Sequence, residues 1–591
     1  MIIICSPQSV RKVSLLGFPW VYLGEDAIQA TNIEHRFPGK RIEIGDKLQE
    51  TAASLRQPYI DYIGQLSLAH NSLLWWISSL SEKNPWTSKT FLHVCYIKLC
   101  QNIVSKQQED LLIIAKSHAL RKSLAQNLQN TQTIKSWEDT LQGIKNVAHT
   151  TISKVHFVVS SIYKTLLARS YKLKQIAVDG EEIVLLQNWV DQRSFDVANG
   201  KYHDNYFGEL ASYLRSRGRT VITMPLIRYN MPYRQTLKRL KQISGRCLIP
   251  EAYLTMPDIG TIFIRALLPL VGLRNYPRFE DLNISELIID DLNRNREGND
   301  PVYSLLLYKA IKRWRRADIS VSHFIYAYEN QAWEKACLSA LRKFYPTIRI
   351  TGYQHATVPK MLLTYFFSRT ELPVIPFPDR VITTGRYTER LFKESGYEPT
   401  KVICGGALRY NQVQQRQQIK QTNTTGGGGR QVILVTPSID KNEVIELVWK
   451  VLQAFEQRPQ YKVVFKFHPD CSYQSIANSL QYTFPAHFVV SDKTVSELLL
   501  ESGVLLYTSS TTSIEALALG IPVLHIKSSL GIDRDNLSDF PDIRKSVSTP
   551  EDIINTVEPL LLNPKTTAQA AKDIMVEMLE PVSESILRLF L

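Results

Sequence analysis

Residues Leu505–Ile526 read LLYTSSTTSIEALALGIPVLHI, and this stretch sets the fold. Gly503–Tyr507 is an apolar run suited to a buried strand, Ser513–Leu519 a helix, and Pro522–Ile526 a second strand. Between strand and helix lies an unbroken hydroxyl run from Thr508 to Ser513. The first turn of a helix leaves backbone N–H groups unpaired and carries the positive end of the dipole, so anions such as phosphate bind there. Ser509, Ser510, Thr511 and Thr512 add side-chain donors without adding bulky charge. Serine and threonine are also ordinary helix caps, but a cap needs one hydroxyl rather than a run. Glu515 follows within the first helical turn, where it can accept from a sugar hydroxyl. Gly520 and Pro522 end the helix and launch the next strand.

The flanking sequence continues the alternation. Gln431–Val435, Lys462–Phe467 and Ala486–Val490 read as strands, Glu443–Gln457 and Val495–Glu501 as helices, and Pro550 to Leu591 as wholly helical. Strands alternating with helices imply a parallel sheet covered on both faces, a Rossmann-like domain over residues 431–591. Residues 414–430, QQRQQIKQTNTTGGGGR, carry no apolar periodicity and four consecutive glycines, and read as a flexible linker.

Residues 1–413 repeat the grammar with interruptions. Ile2–Cys5, Leu111–Ala115, Ile183–Gln187, Thr220–Met224, Phe324–Ala327, Arg349–Gly352 and Arg380–Thr383 are strand candidates, with helices at Asn205–Ser216 and Thr388–Ser395. Two helical insertions fall at about 49–108 and 136–174. The second shows a basic side of Lys154, Lys164, Arg169, Lys172 and Lys174, read as a solvated helix face or, more sharply, as a peripheral membrane contact. The fold class is therefore α/β. Two Rossmann-like lobes facing a cleft, with helical insertions in the N-terminal lobe, describe the GT-B architecture. Ligands of open α/β sheets sit beyond the C-terminal strand ends, which places the site in that cleft.

Bulk properties narrow the function. The 591 residues exceed one ordinary core, and 44% hydrophobic with 21% charged residues is a globular composition. Lysine and arginine outnumber aspartate and glutamate by 70 to 56, giving +14, which fits nucleic acid, an anionic membrane face or anionic small substrates. Without a nucleic-acid signature the first ranks last. The seven cysteines form no CxxC pair and read as reduced thiols of a cytoplasmic protein. MIIICSPQSV reads as a first strand rather than a signal peptide. The run Thr261–Leu273, broken by Arg265, falls short of the ~20 residues of a membrane span.

Lys466–Pro469, KFHP, closes a strand. His468 sits where the chain leaves the sheet and can donate to a phosphate or hold a base or ribose, Pro469 fixes the backbone after it, and Lys466 can supply positive charge. A lone histidine is usually structural. This one shares its domain with the hydroxyl loop.

An HP dipeptide followed by a Ser/Thr loop and a helix of the form S-x-E-A-x-x-x-G-x-P resembles bacterial surface-polysaccharide transferases of the GT-B class, namely polysialyltransferases and the capsule and lipopolysaccharide Kdo transferases. The resemblance covers roughly Val435–Ile526. It implies a glycosyltransferase whose co-substrate is a CMP-activated sugar acid and whose acceptor is a polysaccharide or lipid-linked glycan. It also implies that His468, Pro469, Ser509, Ser510 and Thr511 hold the nucleotide. The same motifs occur in CDP-glycerol transferases and some UDP-sugar enzymes, so CMP is favoured rather than fixed. Trp75–Trp86 (WWISSLSEKNPW), Tyr326–Lys335 (YAYENQAWEK), Gly352–His355 (GYQH) and Gly405–Tyr410 (GGALRY) are similar to a group of surface-carbohydrate biosynthesis proteins.

A transferase needs a base for the acceptor hydroxyl. Glu329, just past the strand Phe324–Ala327, is the first candidate, and its alternative reading is a helix N-terminal carboxylate. Asp191 is the rival. Gln354 and His355 follow another strand and can contact donor phosphate or acceptor. Tyr202, His203 and Asp204 rank lower. No metal or resident cofactor is expected: Asp533 and Asp535 form a D-x-D in what reads as a surface loop, Asp290–Asp291 is weaker, and Gly426–Gly429 lacks the lysine of a phosphate loop. The rival readings are a nucleotide-sugar epimerase or hydrolase of the same fold and a non-catalytic polysaccharide-assembly protein.

Overall fold

A computed structural model describes all residues except 13–17, 38–39, 108, 135, 174–182, 196–201, 243–245, 268–275, 411–430, 481 and 563–567. The expected linker 414–430 and Lys174 lie outside the described residues. Among those described, the strands form three sheets of four, seven and six strands, with every pairing parallel.

The first sheet joins β1 (Ile2–Cys5), β2 (Trp20–Leu23), β3 (Leu111–Ala115) and β4 (Thr131–Thr133) in the order β2-β3-β1-β4. The second joins β5 (Ile183–Val190), β6 (Thr220–Ile227), β7 (Arg246–Cys247), β8 (His323–Ala327), β9 (Arg349–Tyr353), β10 (Arg380–Thr383) and β11 (Val402–Cys404) in the order β11-β10-β9-β8-β5-β6-β7. The third joins β12 (Val432–Thr436), β13 (Lys462–Phe465), β14 (Phe488–Val490), β15 (Val504–Tyr507), β16 (Val523–Ile526) and β17 (Lys545–Val547) in the order β14-β13-β12-β15-β16-β17. Central strands such as β3, β8 and β15 are buried along their whole length, as sheets with helices on both faces require.

Residues 1–413 were expected to hold a single Rossmann-like lobe, but their strands divide between two sheets. The helices Gly45–His70 and Thr90–Val104, expected as an insertion, lie between β2 and β3 and bury apolar faces in a core shared by the first and second sheets. They are cement between two sheets rather than an appendage. At the other end, Phe590 packs among Tyr353, Ile382 and Leu408 on the second sheet, although residues 431–591 were expected in one lobe. Apolar burial explains the return: Phe590 is fully covered there.

The seat of this terminal segment is tight at Gly385. A Cβ there would stand 2.4 Å from the Glu577 carbonyl oxygen and 2.5 Å from Met578 backbone atoms, so the helix Ala568–Met578 would have to shift. Gly385→Ala is expected to lower stability by about 2 kcal/mol, the ordinary cost of overpacking. A fall in the urea midpoint reads it out. An unchanged midpoint means the segment is not seated against Gly385.

Candidate functional site

The third sheet has the strand order 3-2-1-4-5-6, whose switch point lies between β12 and β15. The second reverses between β5 and β8. The C-terminal ends of both sheets open on one cavity of about 460 Å³. Its N-terminal wall carries Arg193, Arg228, Glu329, His355 and Arg409; its C-terminal wall carries Ser438, His468, Ser509, Ser510 and Thr511. This is the two-lobed GT-B arrangement, with the cleft between lobes.

The hydroxyl loop divides by burial. Ser509, Ser510 and Thr511 face the cleft, whereas Thr508, Thr512 and Ser513 are buried beneath it. Ser510 donates to Thr512 Oγ1 at 3.1 Å, and Ser513 donates to the Ser510 carbonyl at 2.9 Å, so the inner hydroxyls shape the turn. Thr512 therefore does not reach a ligand as expected. The backbone N–H groups of Ser510 and Thr511 have no partner among the described residues. The helix Thr512–Ala518 ends in a Schellman motif: Gly520, at φ 70°, donates to Leu517, and Ile521 donates to Ala516.

Ser509 is held from below. Its hydroxyl donates to Glu443 Oε2 at 3.1 Å, which also accepts from Ser438 at 2.6 Å and Arg534 at 3.3 Å. Asn536 joins the lobes: its amide donates to the Ser509 carbonyl at 2.9 Å, and its side-chain oxygen accepts from Thr357 at 2.7 Å. The D-x-D segment around it is buried rather than a surface loop. Asp535 accepts from Tyr507 at 2.8 Å and pairs with Arg544 at 2.5 Å, while Asp533 accepts the Ser528 N–H at 2.7 Å. Both carboxylates serve this packing. Among the described residues no group of three or more His, Cys, Asp or Glu is placed to hold a metal.

His468 accepts the Asp470 N–H on Nδ1 at 3.1 Å, which leaves Nε2 to carry the proton of the neutral ring. Burial pushes its pKa down to about 4; Asp470 opposes that, and Arg193, Arg228 and Arg409 add to it. The ring is therefore a neutral donor near pH 7. Pro469 is exposed outside the cleft. Lys466 turns away to the Ser491 and Asp492 carbonyls at 3.4 and 3.2 Å, beside β14, so it supplies no charge to the cleft.

Glu329 and His355 meet opposite the hydroxyl loop, with Nε2 3.4 Å from Oε1. Asn330, at φ 59°, makes the turn that aims Glu329, and the Glu329 and Asn330 N–H groups donate to Glu334 at 3.0 and 2.9 Å. Gln331 donates to the other Glu329 oxygen. Burial raises the Glu329 pKa, against the pull of Arg228 and Arg409. Burial and the same arginines hold His355 well below the ordinary histidine range. Its Nδ1 is buried without a partner among the described residues, and its ring packs edge-on to Tyr206 at 4.8 Å. An acceptor hydroxyl in the cleft would find a carboxylate of raised basicity backed by a neutral imidazole.

Three expected residues serve the frame instead. Burial would raise the Asp191 pKa, but Arg193 more than offsets it, donating from its backbone N–H at 2.8 Å and its guanidinium at 2.6 Å. A carboxylate so engaged is a poor base; Asp191 orients Arg193, which does line the cleft. Gln354 is fully buried, accepting from the Thr384 N–H at 3.0 Å and donating to Ala356. Glu515 lies outside the cleft lining and supports the charge of Arg409 from behind. Asp204, ranked lower, caps the turn that presents Tyr206 to the cleft.

Sequence reading missed the arginines. Arg228 pairs with Asp470 across the cleft, Arg193 with Asp191, and Arg534 with Asp440 and Glu443. The Arg409 guanidinium makes no hydrogen bond or ion pair among the described residues and lies over the Tyr410 ring at 5.7 Å. Burial opposes its charge, yet Tyr410, Tyr206, Glu515 and Glu329 keep its pKa above the ordinary value. Arg193, Arg228 and Arg409 follow the C-terminal ends of β5, β6 and β11, so the rule that singled out His468 was available for them.

No protein-family model matches this chain, and no curated protein matches it. Among solved structures it is similar to UDP-GlcNAc 2-epimerase from Neisseria meningitidis bound to UDP-GlcNAc, at 13% identity and TM-score 0.39, over 66% of this chain and 98% of that one. It is also similar to the wall teichoic acid polymerase TagF, at 12% identity and TM-score 0.37, over 75% and 96%. A third is S. aureus MnaA with UDP, at 11% and TM-score 0.40, over 69% and 94%. These likenesses are remote, and the chemistry has to be read from the cleft itself.

Because His468 is neutral, the ratio of the affinities of the wild type and His468→Gln for a nucleotide that occupies this cleft is expected to stay flat from about pH 5.5 to 8, the interval above its lowered pKa. Titration calorimetry measures both. A ratio that falls as pH rises through the ordinary histidine range would show a cationic ring.

Proposed function

We propose that this chain is a glycosyltransferase that moves a sugar from a nucleotide donor, a CMP-activated sugar acid being favoured, to a surface-polysaccharide or glycolipid acceptor. The observation that carries the reading is the pairing of the open hydroxyl loop with Arg409 across one cleft. Ser510, Thr511 and the His468 Nε2–H would donate to the phosphate of the nucleotide sugar, and preorganised donors of this kind stabilise the departing nucleotide. A sugar acid brings a second anion, and Arg409 offers it a cation that no carboxylate among the described residues neutralises at contact distance. Glu329 would deprotonate the acceptor hydroxyl. The donor requirement favours a cytoplasmic site of action, with an acceptor supplied at the inner face of the membrane.

Thermal shifts with CMP, CDP, UDP and GDP test the donor. A ligand at one hundred times its Kd stabilises the folded chain by about 2.7 kcal/mol, and CMP is expected to give the largest rise. No rise with any of the four contradicts the reading.

Glu329→Gln is expected to keep the CMP shift while lowering kcat by roughly 10²–10⁴, the usual contribution of a general base. An unaltered kcat removes Glu329 from the chemistry. Donor turnover without acceptor, abolished by the same substitution, would favour an epimerase or hydrolase.

A further inference from the structure

The helix Trp137–Ala168 spans 32 residues, about 48 Å at 1.5 Å per residue. Its inner face is set by Lys154, Ser161, Thr165 and Ala168, all buried. Lys154 was expected on a basic outer side, but its ammonium turns inward to the Gly298 carbonyl and Asn299, the acceptors that make its burial tolerable. The opposite face presents Ile152, Val155, Val159, Tyr163 and Leu166, each half exposed or more. Their spacing of three and four residues lines them up as one stripe. Ile264, on the neighbouring helix Met256–Leu267, is 64% exposed and widens the apolar area.

Charge decides what covers this face. From residue 140 to 178 the chain holds no aspartate or glutamate. Lys145, Arg169 and Lys172 are exposed along the helix and just beyond it, and the adjoining helix Tyr233–Lys241 exposes Arg234, Lys238 and Lys241. Two copies of the face brought together would set these cations against one another with no carboxylate of the segment between them. An anionic surface neutralises them while the stripe enters an apolar layer. No described helix is long and apolar enough to cross a membrane, so the geometry is that of a helix lying on one.

We propose that the outer face of the helix Trp137–Ala168 docks on an anionic lipid bilayer, with Ile152, Val155, Val159, Tyr163 and Leu166 below the headgroups and the flanking cations among them. The Lys164 ammonium lies 5.4 Å from the Tyr233 ring centroid, and Tyr233 stands four residues along the chain from Tyr229, which lines the cleft. Delivery of a lipid-linked acceptor by this route rests on the transferase reading; the docking does not.

Co-sedimentation of the full chain with vesicles of phosphatidylcholine and phosphatidylglycerol, against phosphatidylcholine alone, tests the docking. Wild type is expected to partition at least about tenfold more strongly onto the anionic vesicles. Val155→Glu with Val159→Glu is expected to abolish partitioning while leaving the thermal midpoint and the CMP shift intact, which separates a failure here from a failure of the cleft. Should that pair unfold the chain, Lys145→Gln, Arg169→Gln and Lys172→Gln decide, each weakening partitioning by roughly fivefold. Wild type remaining in the supernatant with both vesicle types overturns the proposal, as does binding unaffected by either set. So does a wild-type dimer by light scattering that the glutamate pair converts to monomer, since a second copy would then cover the face.

Discussion

Arg409 brings a positive charge to the meeting point of the two lobes and finds no hydrogen-bonding or ionic partner there among the described residues. The other three cleft arginines are all paired with carboxylates. Desolvating an ion costs several kcal/mol even after relaxation, against a total stability of about 5–15 kcal/mol for a typical domain. Tyr410, Tyr206, Glu515 and Glu329 together outweigh that cost and keep the charge in place. The cleft therefore holds a charged guanidinium that an entering anion would find without a direct carboxylate partner among the described residues.

The rest of the architecture holds the partners of that anion in place. Two parallel sheets turn their C-terminal edges toward each other, and the loops at those edges are cross-braced. Glu443 gathers Ser438, Ser509 and Arg534, and Asn536 ties the hydroxyl loop to the loop that follows β9. Each hydrogen bond is worth about 1 kcal/mol net. Their joint effect is on position more than on stability, because a donor fixed before the reaction costs no reorganisation during it. Burial, reinforced by the same crowding of cations, keeps both cleft histidines neutral, so each can donate without adding a further charge.

Much of this was legible in the residues. The strands read from sequence recur, with ends displaced by a few residues, because buried parallel strands are continuous apolar runs. The strands that escaped were β2, β4, β7, β11 and β17, every one at the edge of its sheet. Edge strands here are two to four residues long, too short to carry a periodic signal. Glu329, His355, His468, Ser509, Ser510 and Thr511 were named from their places after strand ends, and they share the cleft. Asp191, Gln354 and Lys466 stand at similar chain positions but face other ways, since which neighbour captures a side chain is a tertiary fact. The arginines were passed over because a lone arginine in sequence is indistinguishable from a solvated one; only the fold shows Arg409 turned inward.

A crystal structure of the protein grown with CMP tests the central claim most directly. The account predicts the phosphate within hydrogen-bonding distance of Ser510, Thr511 and His468, with the Arg409 guanidinium facing the same cavity and reached by the sugar-acid carboxylate once an intact donor is bound. A nucleotide bound elsewhere, or an Arg409 that remains bare while the cleft is filled, would contradict it.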